Sequence, residues 1–337
     1  MSRSFAPGNR HQLRSKARMR MSRSDSAATQ PPGHPRLETI LGGCEWLRAV
    51  RAPMRTAAGN VRSPGVTVYQ HLSFLTDYGL EDGFVAACHG VAARIAPQAH
   101  ILDITHLVPP GDVRRGAAVL AQTVAYLPPA VHIAVVDPGV GTARRAVAVT
   151  AGDSIFVGPD NGLLSWSIAT LGGGKTAVQL TNGDLWLHPV SATFHGRDIF
   201  MPVAAHLAAG LELAQAGAEI SVADLIALPA PTSRLHDGAA EGEVMSVDRF
   251  GNVQLSIPAA DAGRLGIGIG SPLIVRCGRR QFTVRYLDTF AAGTPGEIVA
   301  FTDSAGLISL AINAGDAAEQ LGLPPGAHVR ISQSHRT

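Results

Sequence analysis

In the stretch "AVVDPGVGTARR", an acid at Asp137 and a base at Arg144 bracket a run containing Pro138, Gly139 and Gly141. The glycines allow a tight turn that can bring the two side chains together. A carboxylate and a guanidinium facing one water molecule can position it and stabilise its hydroxide character. Two other readings stand beside this one. A phosphate-binding loop requires Gly-Lys-Ser/Thr and a following helix, whereas a strand, "AVAVTA", follows here. A surface hairpin closed by a salt bridge of small worth fits the spacing equally well.

Further candidates lie just after apolar runs. Asp77 in "FLTDYG" can accept both hydroxyls of a ribose diol, or simply end a turn. His106 in "DITH" and Asp160-Asn161 in "GPDNG" hold comparable positions. His195 in "TFHGRDIF" sits beside Gly196, which leaves room for a ligand, although a lone histidine is more often structural. It has no second histidine at ligand spacing, so no metal is expected. Arg197 and Asp198 read as a helix-terminus pair. In "DRFGN", Asp248, Phe250 and Asn252 make either a hairpin turn or a polar lip on which Phe250 stacks a base. Ser304 in "TDSAG" is a similar turn position.

The elements that must carry these residues alternate. "VTVYQHLSFLTD", "HILDITH" and "VHIAVVD" read as strands. "EDGFVAACHGVAARIAP" and "GDVRRGAAVLAQTVAYLPP" read as helices, with Glu81 and Asp82 at the start of the first and Asp112 capping the second. "AVAVTA" and "SIFVGPD" follow as strands, then a helix from Asn161, and "GRDIFMPVAAHLAAG" is helical with Pro202 near its start. This pattern predicts a mostly parallel central sheet flanked by helices over residues 66–228. Ligands bind such a sheet at the carboxyl ends of its strands, where the candidates cluster. "ALPAPTSRLHDGAA" supplies a linker at 229–239. Short strands with turns between them then predict an antiparallel β-barrel-like domain over 240–334.

Composition narrows the function further. Of 337 residues, 46% are hydrophobic and 16% charged, which suits two ordinary cores. Residues 1–65 carry 12 Lys and Arg against 3 Asp and Glu, so the remainder is formally −7 despite a whole-chain charge of +2. Nothing in the acidic body suggests a nucleic-acid surface, and the Arg-rich extension reads as a targeting peptide or, more simply, as a disordered tail or the product of a start codon placed too far upstream. No uninterrupted apolar run is long enough to cross a membrane. Cys44, Cys88 and Cys277 are odd in number and lack a C-x-x-C, which points to a reducing, cytoplasmic compartment.

Taken in order, "FLTDYGLEDGFV", "DPGVGTARR", "GPDNGLL", "TFHGRDIF" and "DRFGNV" resemble the S-adenosyl-L-methionine (SAM) hydroxide adenosyltransferase family, also called SAM hydrolases. The SAM-dependent fluorinases and chlorinases are relatives of that family. The resemblance covers about residues 72–332 and implies cleavage of SAM by water into adenosine and L-methionine, with no cofactor or metal. It implies a homotrimer with SAM bound between the first domain of one subunit and the second domain of its neighbour. The family's catalytic Asp, Arg and His fall on Asp137, Arg144 and His195, and its ribose-binding acid on Asp77. Its second-domain substrate residues fall on Asp248, Phe250 and Asn252, and Ser304 matches a small polar position near adenine. Halogenases carry a longer loop in the first domain and lack the His–Arg combination. Here the path from "AYLPP" to "VHIAVVD" is direct and both side chains are present, which favours water over halide. A SAM- or adenosine-binding protein with little turnover is the alternative from another class.

Overall fold

Alternation along the strands His71–Thr76 and Val131–Val135 explains how one sheet is covered on both faces. Leu72, Phe74, Val131, Ile133 and Val135 point into one apolar layer, while Leu75, Ala134 and Val136 point into the other. In the computed structural model, residues 61–63 and 66–334 are described. The first part contains β1 (Val61–Ser63), β2 (Val66–Val68), β3 (His71–Thr76), α1 (Phe84–Ile95), β4 (His100–Thr105), α2 (Val113–Val124) and β5 (Val131–Val135). It continues with β6 (Ala146–Ala151), β7 (Ser154–Pro159), α3 (Ser165–Thr170), β8 (Gly174–Leu180), α4 (Met201–Ala208) and β9 (Gly217–Ile220). Of the extension expected to be disordered, only Val61–Ser63 is described, as a strand paired with β2. The rest of that expectation lies outside the described residues.

The sheet runs β4-β3-β5-β7-β6-β8-β9. Strands β4, β3, β5 and β7 are mutually parallel, β6 reverses, β8 reverses again, and β9 closes the edge antiparallel. The sheet is therefore mostly parallel in strand direction, with α1 and α4 packed on one face and α2 and α3 on the other. Asp112 caps α2 as expected, its carboxylate accepting the Arg115 amide at 2.9 Å. Glu81 and Asp82, by contrast, precede the Gly83 cap of α1 and lie outside its first turn. The helix expected from Asn161 begins at Ser165, after a turn through Gly162 at φ 94°.

The second part comprises β10 (Ser233–His236), β11 (Ala239–Val247), β12 (Val253–Pro258), α5 (Ala259–Arg264), β13 (Pro272–Cys277), β14 (Arg280–Tyr286), β15 (Ile298–Thr302), β16 (Leu307–Ile312), α6 (Ala317–Leu321) and β17 (His328–Gln333). Strands β11-β12-β16-β15-β14-β13-β17 close into a barrel when β17 pairs back onto β11. Every pairing is antiparallel except β14–β15, which makes the barrel mixed. β10 falls within the stretch expected as linker and pairs with β11. Helix α2 meets the barrel through Gln122 Nε2, which donates to Gln254 Oε1 at 2.7 Å, and through Arg114 paired with Glu243 at 3.0 Å.

Candidate active site

Strand β5 ends at Val135, and the chain then turns tightly. The Val140 amide donates to the Asp137 carbonyl and the Thr142 amide to the Gly139 carbonyl. Gly141 adopts φ 77°, and a Cβ there would lie 2.5 Å from the Ala192 carbonyl oxygen. Both features demand glycine. This loop brings Arg144 onto Asp137 as a two-pronged pair. Nε reaches Oδ1 at 3.0 Å and Oδ2 at 2.9 Å, and Nη2 reaches Oδ2 at 2.5 Å. The Asp137 and Arg144 side chains are 5% and 11% exposed, so the pair is no surface salt bridge. The Arg144 guanidinium also lies over the Phe200 ring, 5.0 Å from its centroid.

The same Arg144 Nη2 lies 2.8 Å from His195 Nδ1. His195 precedes a wide helical turn, Gly196–Phe200, that runs into α4, with Pro202 accommodated at the start of that helix. Asp198, fully buried, anchors this turn. It accepts the Ser191 amide at 2.8 Å and two bonds from Arg197 at 2.6 and 3.0 Å. The pair expected at 197 and 198 is therefore present, and it braces the segment bearing His195. Burial first, then the charge of Arg144, push the His195 pKa below its ordinary value, against the opposing charges of Asp137 and Asp198.

Asp77 follows β3, and its Oδ2 accepts the Gly111 amide at 2.8 Å. Gly111 in turn lies beside Pro138, so Asp77 borders the Asp137 loop. Tyr78, which residue type and spacing did not single out, packs against Gly196 and the Phe194 ring. Burial, and next the neighbouring Cys88, Asp77 and Asp137, raise its pKa well above the ordinary phenol value, with Arg144 opposing. His106 supports the Asp77 turn: its carbonyl accepts the Gly79 amide at 2.8 Å and its Nδ1 meets Thr76 Oγ1 at 2.9 Å. Asp160 is committed elsewhere, to Arg145 and to the Ile226 amide. Asn161 holds the Val136 carbonyl at 2.9 Å, one residue before Asp137.

The barrel residues form a second group. Asp248 organises the "DRFGN" turn, accepting the Phe250 and Asn252 amides and the Asn252 side chain at 2.8 to 2.9 Å. Phe250 projects into solvent, 71% exposed. Together with Ser304, these residues line a cleft of about 720 Å³. Sequence reasoning missed several of its other walls: Phe290, Arg115 from α2, and the linked pair Gln254 and Asp303, joined at 2.7 Å. None of Asp77, Asp137, Arg144 or His195 lines this cleft. Within one chain the structure thus joins Asp77 to the Asp137–Arg144–His195 set, and separately gathers Asp248, Phe250, Asn252 and Ser304.

The carboxyl end of a mostly parallel sheet, carrying a largely buried carboxylate–guanidinium pair in contact with a half-buried imidazole, beside a barrel with an aromatic-lined cleft, defines a two-part enzyme acting on a small molecule. The chain belongs to the SAM hydroxide adenosyltransferase family: the family's N-terminal domain matches residues 72–217 and its C-terminal domain residues 242–330. It is 56% identical over 261 residues to an "(R)-S-adenosyl-L-methionine hydrolase" of Salinispora tropica, covering 77% of this chain and 97% of that one. It is 44% identical over 266 residues to a protein of the same name from Thermus thermophilus, covering 77% and 98%. A fluorinase of Nocardia brasiliensis is 29% identical over 288 residues, covering 77% and 96%. Among solved structures, an uncharacterised conserved protein from Thermotoga maritima matches with TM-score 0.73 and 38% identity, over 77% of this chain and 99% of that one.

Proposed function

We propose that this chain cleaves SAM with water, giving adenosine and L-methionine. The observation that carries the reading is the buried Arg144 guanidinium in contact with both Asp137 and His195. The electrophile is C5′ of a sulfonium, and its leaving group is a neutral thioether that needs no acid. The difficulty lies in the nucleophile. Arg144 supplies a positive field for developing hydroxide, while Asp137 and His195 orient the water and take its proton. Asp77 Oδ1 takes no hydrogen bond from the described residues, which leaves it for the ribose hydroxyls. Asp248, Phe250 and Asn252 suit the methionine and adenine sides of the substrate, and Ser304 a position near the adenine.

The two residue groups belong to separate regions of one chain, which supports a site shared between subunits of a homotrimer. Leu80, Phe84 and Leu107, exposed beside the Asp77 turn, fit such an interface. In that arrangement residues 66–228 of one copy and 240–334 of the next meet across SAM, with 229–239 joining the two domains of each chain. No cofactor is required. Among the described residues no helix is long and apolar enough to cross a membrane, and the sparse cysteines support a cytoplasmic setting.

The test is incubation of the purified protein with each sulfonium epimer of SAM, with and without added halide, followed by chromatography. Adenosine and methionine are the expected products. The two hydrolase relatives carry the R descriptor in their names, so the R epimer is the expected substrate. A 5′-halo-nucleoside, or SAM bound and left intact, would overturn the reading. So would an Arg144→Ala or His195→Ala variant that forms adenosine at the unaltered rate.

A further inference from the structure

We propose that His89, Asp103 and His106 form a binding site for a divalent transition-metal ion such as Zn²⁺, on the seam between α1 and β4. His89 Nε2 and His106 Nε2 each lie 3.0 Å from the same oxygen, Asp103 Oδ1. The three donor atoms fall within 4.8 Å of one another. Zinc holds nitrogen and oxygen ligands at about 2.0–2.2 Å, which places neighbouring ligands roughly 3 Å apart. The cluster therefore already has the spacing that coordination demands, before any ion enters.

His106 supplies the second, independent observation. It is only 4% exposed, and its Nε2 has no hydrogen-bond partner even though a carboxylate oxygen lies 3.0 Å away. The Nε2 axis is therefore not directed at Asp103 Oδ1, and a buried ring nitrogen left without a hydrogen bond is costly; an ion held off that line by both Nε2 and Oδ1 would satisfy it. Nδ1 is occupied by Thr76 Oγ1 at 2.9 Å, which sets the ring's orientation as partners of metal-bound histidines do. The Phe74 ring packs edge-on against His106, with centroids 4.9 Å apart, and holds the ring in that plane. His89 and Asp103 are 34% and 41% exposed, which gives an ion its route from solvent. Three protein ligands leave at least one position for water.

Such a site is invisible in linear spacing. His89 lies on a helix, and Asp103 and His106 on and just after the following strand; only the β-α-β crossover brings them together. Its effect is structural. A bound cation would tie α1 to the edge strand and, through the His106 carbonyl and Thr76 Oγ1, stiffen residues 78 and 79 beside Asp77.

The test uses the full chain and ZnCl₂ alone, read by titration calorimetry and by the thermal midpoint. The unaltered protein should bind one equivalent at this site and melt at a higher temperature with zinc present. His89→Ala, at a half-buried position, and Asp103→Asn, at an exposed one, should each weaken binding by about tenfold or more and abolish the rise in midpoint. Zinc bound to both variants with unaltered affinity and stoichiometry would overturn the proposal, as would an unaltered protein that binds none.

Discussion

Gly196 offers the sharpest check on how the site is assembled. Its φ is not in the left-handed region, so its backbone does not require glycine. The requirement is space. A Cβ at this position would fall well inside contact with the Tyr78 hydroxyl, 3.0 Å from Tyr78 Cζ and 3.3 Å from Cε2. Ordinary contact begins near 3.4 Å, so the hydroxyl must retreat by more than about 1 Å, while the ring carbons need give only a few tenths. Tyr78 is wedged between Phe194 and Phe84 and cannot swing away freely. Gly196→Ala should therefore cost about 1–3 kcal/mol of stability. It should also displace His195, its immediate neighbour, and a misplacement of about 1 Å can lower turnover roughly 100-fold.

The double-mutant cycle isolates the cause. In a Tyr78→Phe background the offending oxygen is gone and only the ring contacts at 3.0 and 3.3 Å remain. Gly196→Ala should then cost less than half as much, both in denaturant midpoint and in adenosine release measured against the Tyr78→Phe single variant. An equal penalty in both backgrounds would refute the steric account, and so would a Gly196→Ala enzyme that behaves like the unaltered one.

Three other outcomes follow from the same geometry. Gly141→Ala, with positive φ and the Ala192 carbonyl 2.5 Å away, should impair stability and turnover, whereas Gly139→Ala, whose nearest neighbours stand at 3.5 Å, should be mild; a reversed order in melting and rate measurements would contradict the loop description. Arg144→Gln should raise the His195 pKa in an NMR titration, because it removes a lowering charge and leaves burial alone opposing the raising charges of Asp137 and Asp198; an unmoved titration would refute this. Burial pushes His132 down to about 3, while an unfolded chain takes up that proton below about 6.5. The unfolded state thus binds more protons in that window, so stability is complete above it and declines as pH falls toward 3. His132→Leu should flatten that decline in denaturant melts, whatever constant cost arises from leaving Ser73 Oγ without its 2.7 Å partner.

Local chemistry wrote much of this structure into the sequence. The Asp112 cap, the apolar strand at 131–135 and the glycine turn after Asp137 each depend on neighbours a few residues away. The hidden parts depend on long-range encounters. That Gly196 is a steric requirement emerges only when Tyr78 arrives from another element. Phe290 reads as one aromatic among several until the parallel β14–β15 connection carries it to the cleft. Ser233–His236 resembles a linker because its strand character comes from pairing with β11, and four residues carry little signal alone. That the Asp137–Arg144 pair is largely buried and not a surface salt bridge emerges only from the packing around it, which spacing does not report.

Proton bookkeeping around Arg144 separates the two candidate bases. A guanidinium has donors only, so His195 Nδ1, 2.8 Å from Nη2, must be the acceptor. A neutral imidazole accepting at Nδ1 carries its proton on Nε2, which gives water a donor and no lone pair. Asp137 receives three bonds from Arg144 on two oxygens that together offer about four acceptor positions, so capacity remains for a proton. This arrangement favours Asp137 as the base, with His195 orienting the water from its Nε2–H. Asp137→Asn should then lower turnover by about 10²–10⁴-fold, since it removes the base and sets amide hydrogens against the guanidinium. His195→Gln keeps one donor and one acceptor at a similar reach, and should remain at least about tenfold faster than Asp137→Asn. Single-turnover rates measured at saturating SAM make the comparison directly. A His195→Gln rate as low as that of Asp137→Asn would return the role of base to the histidine.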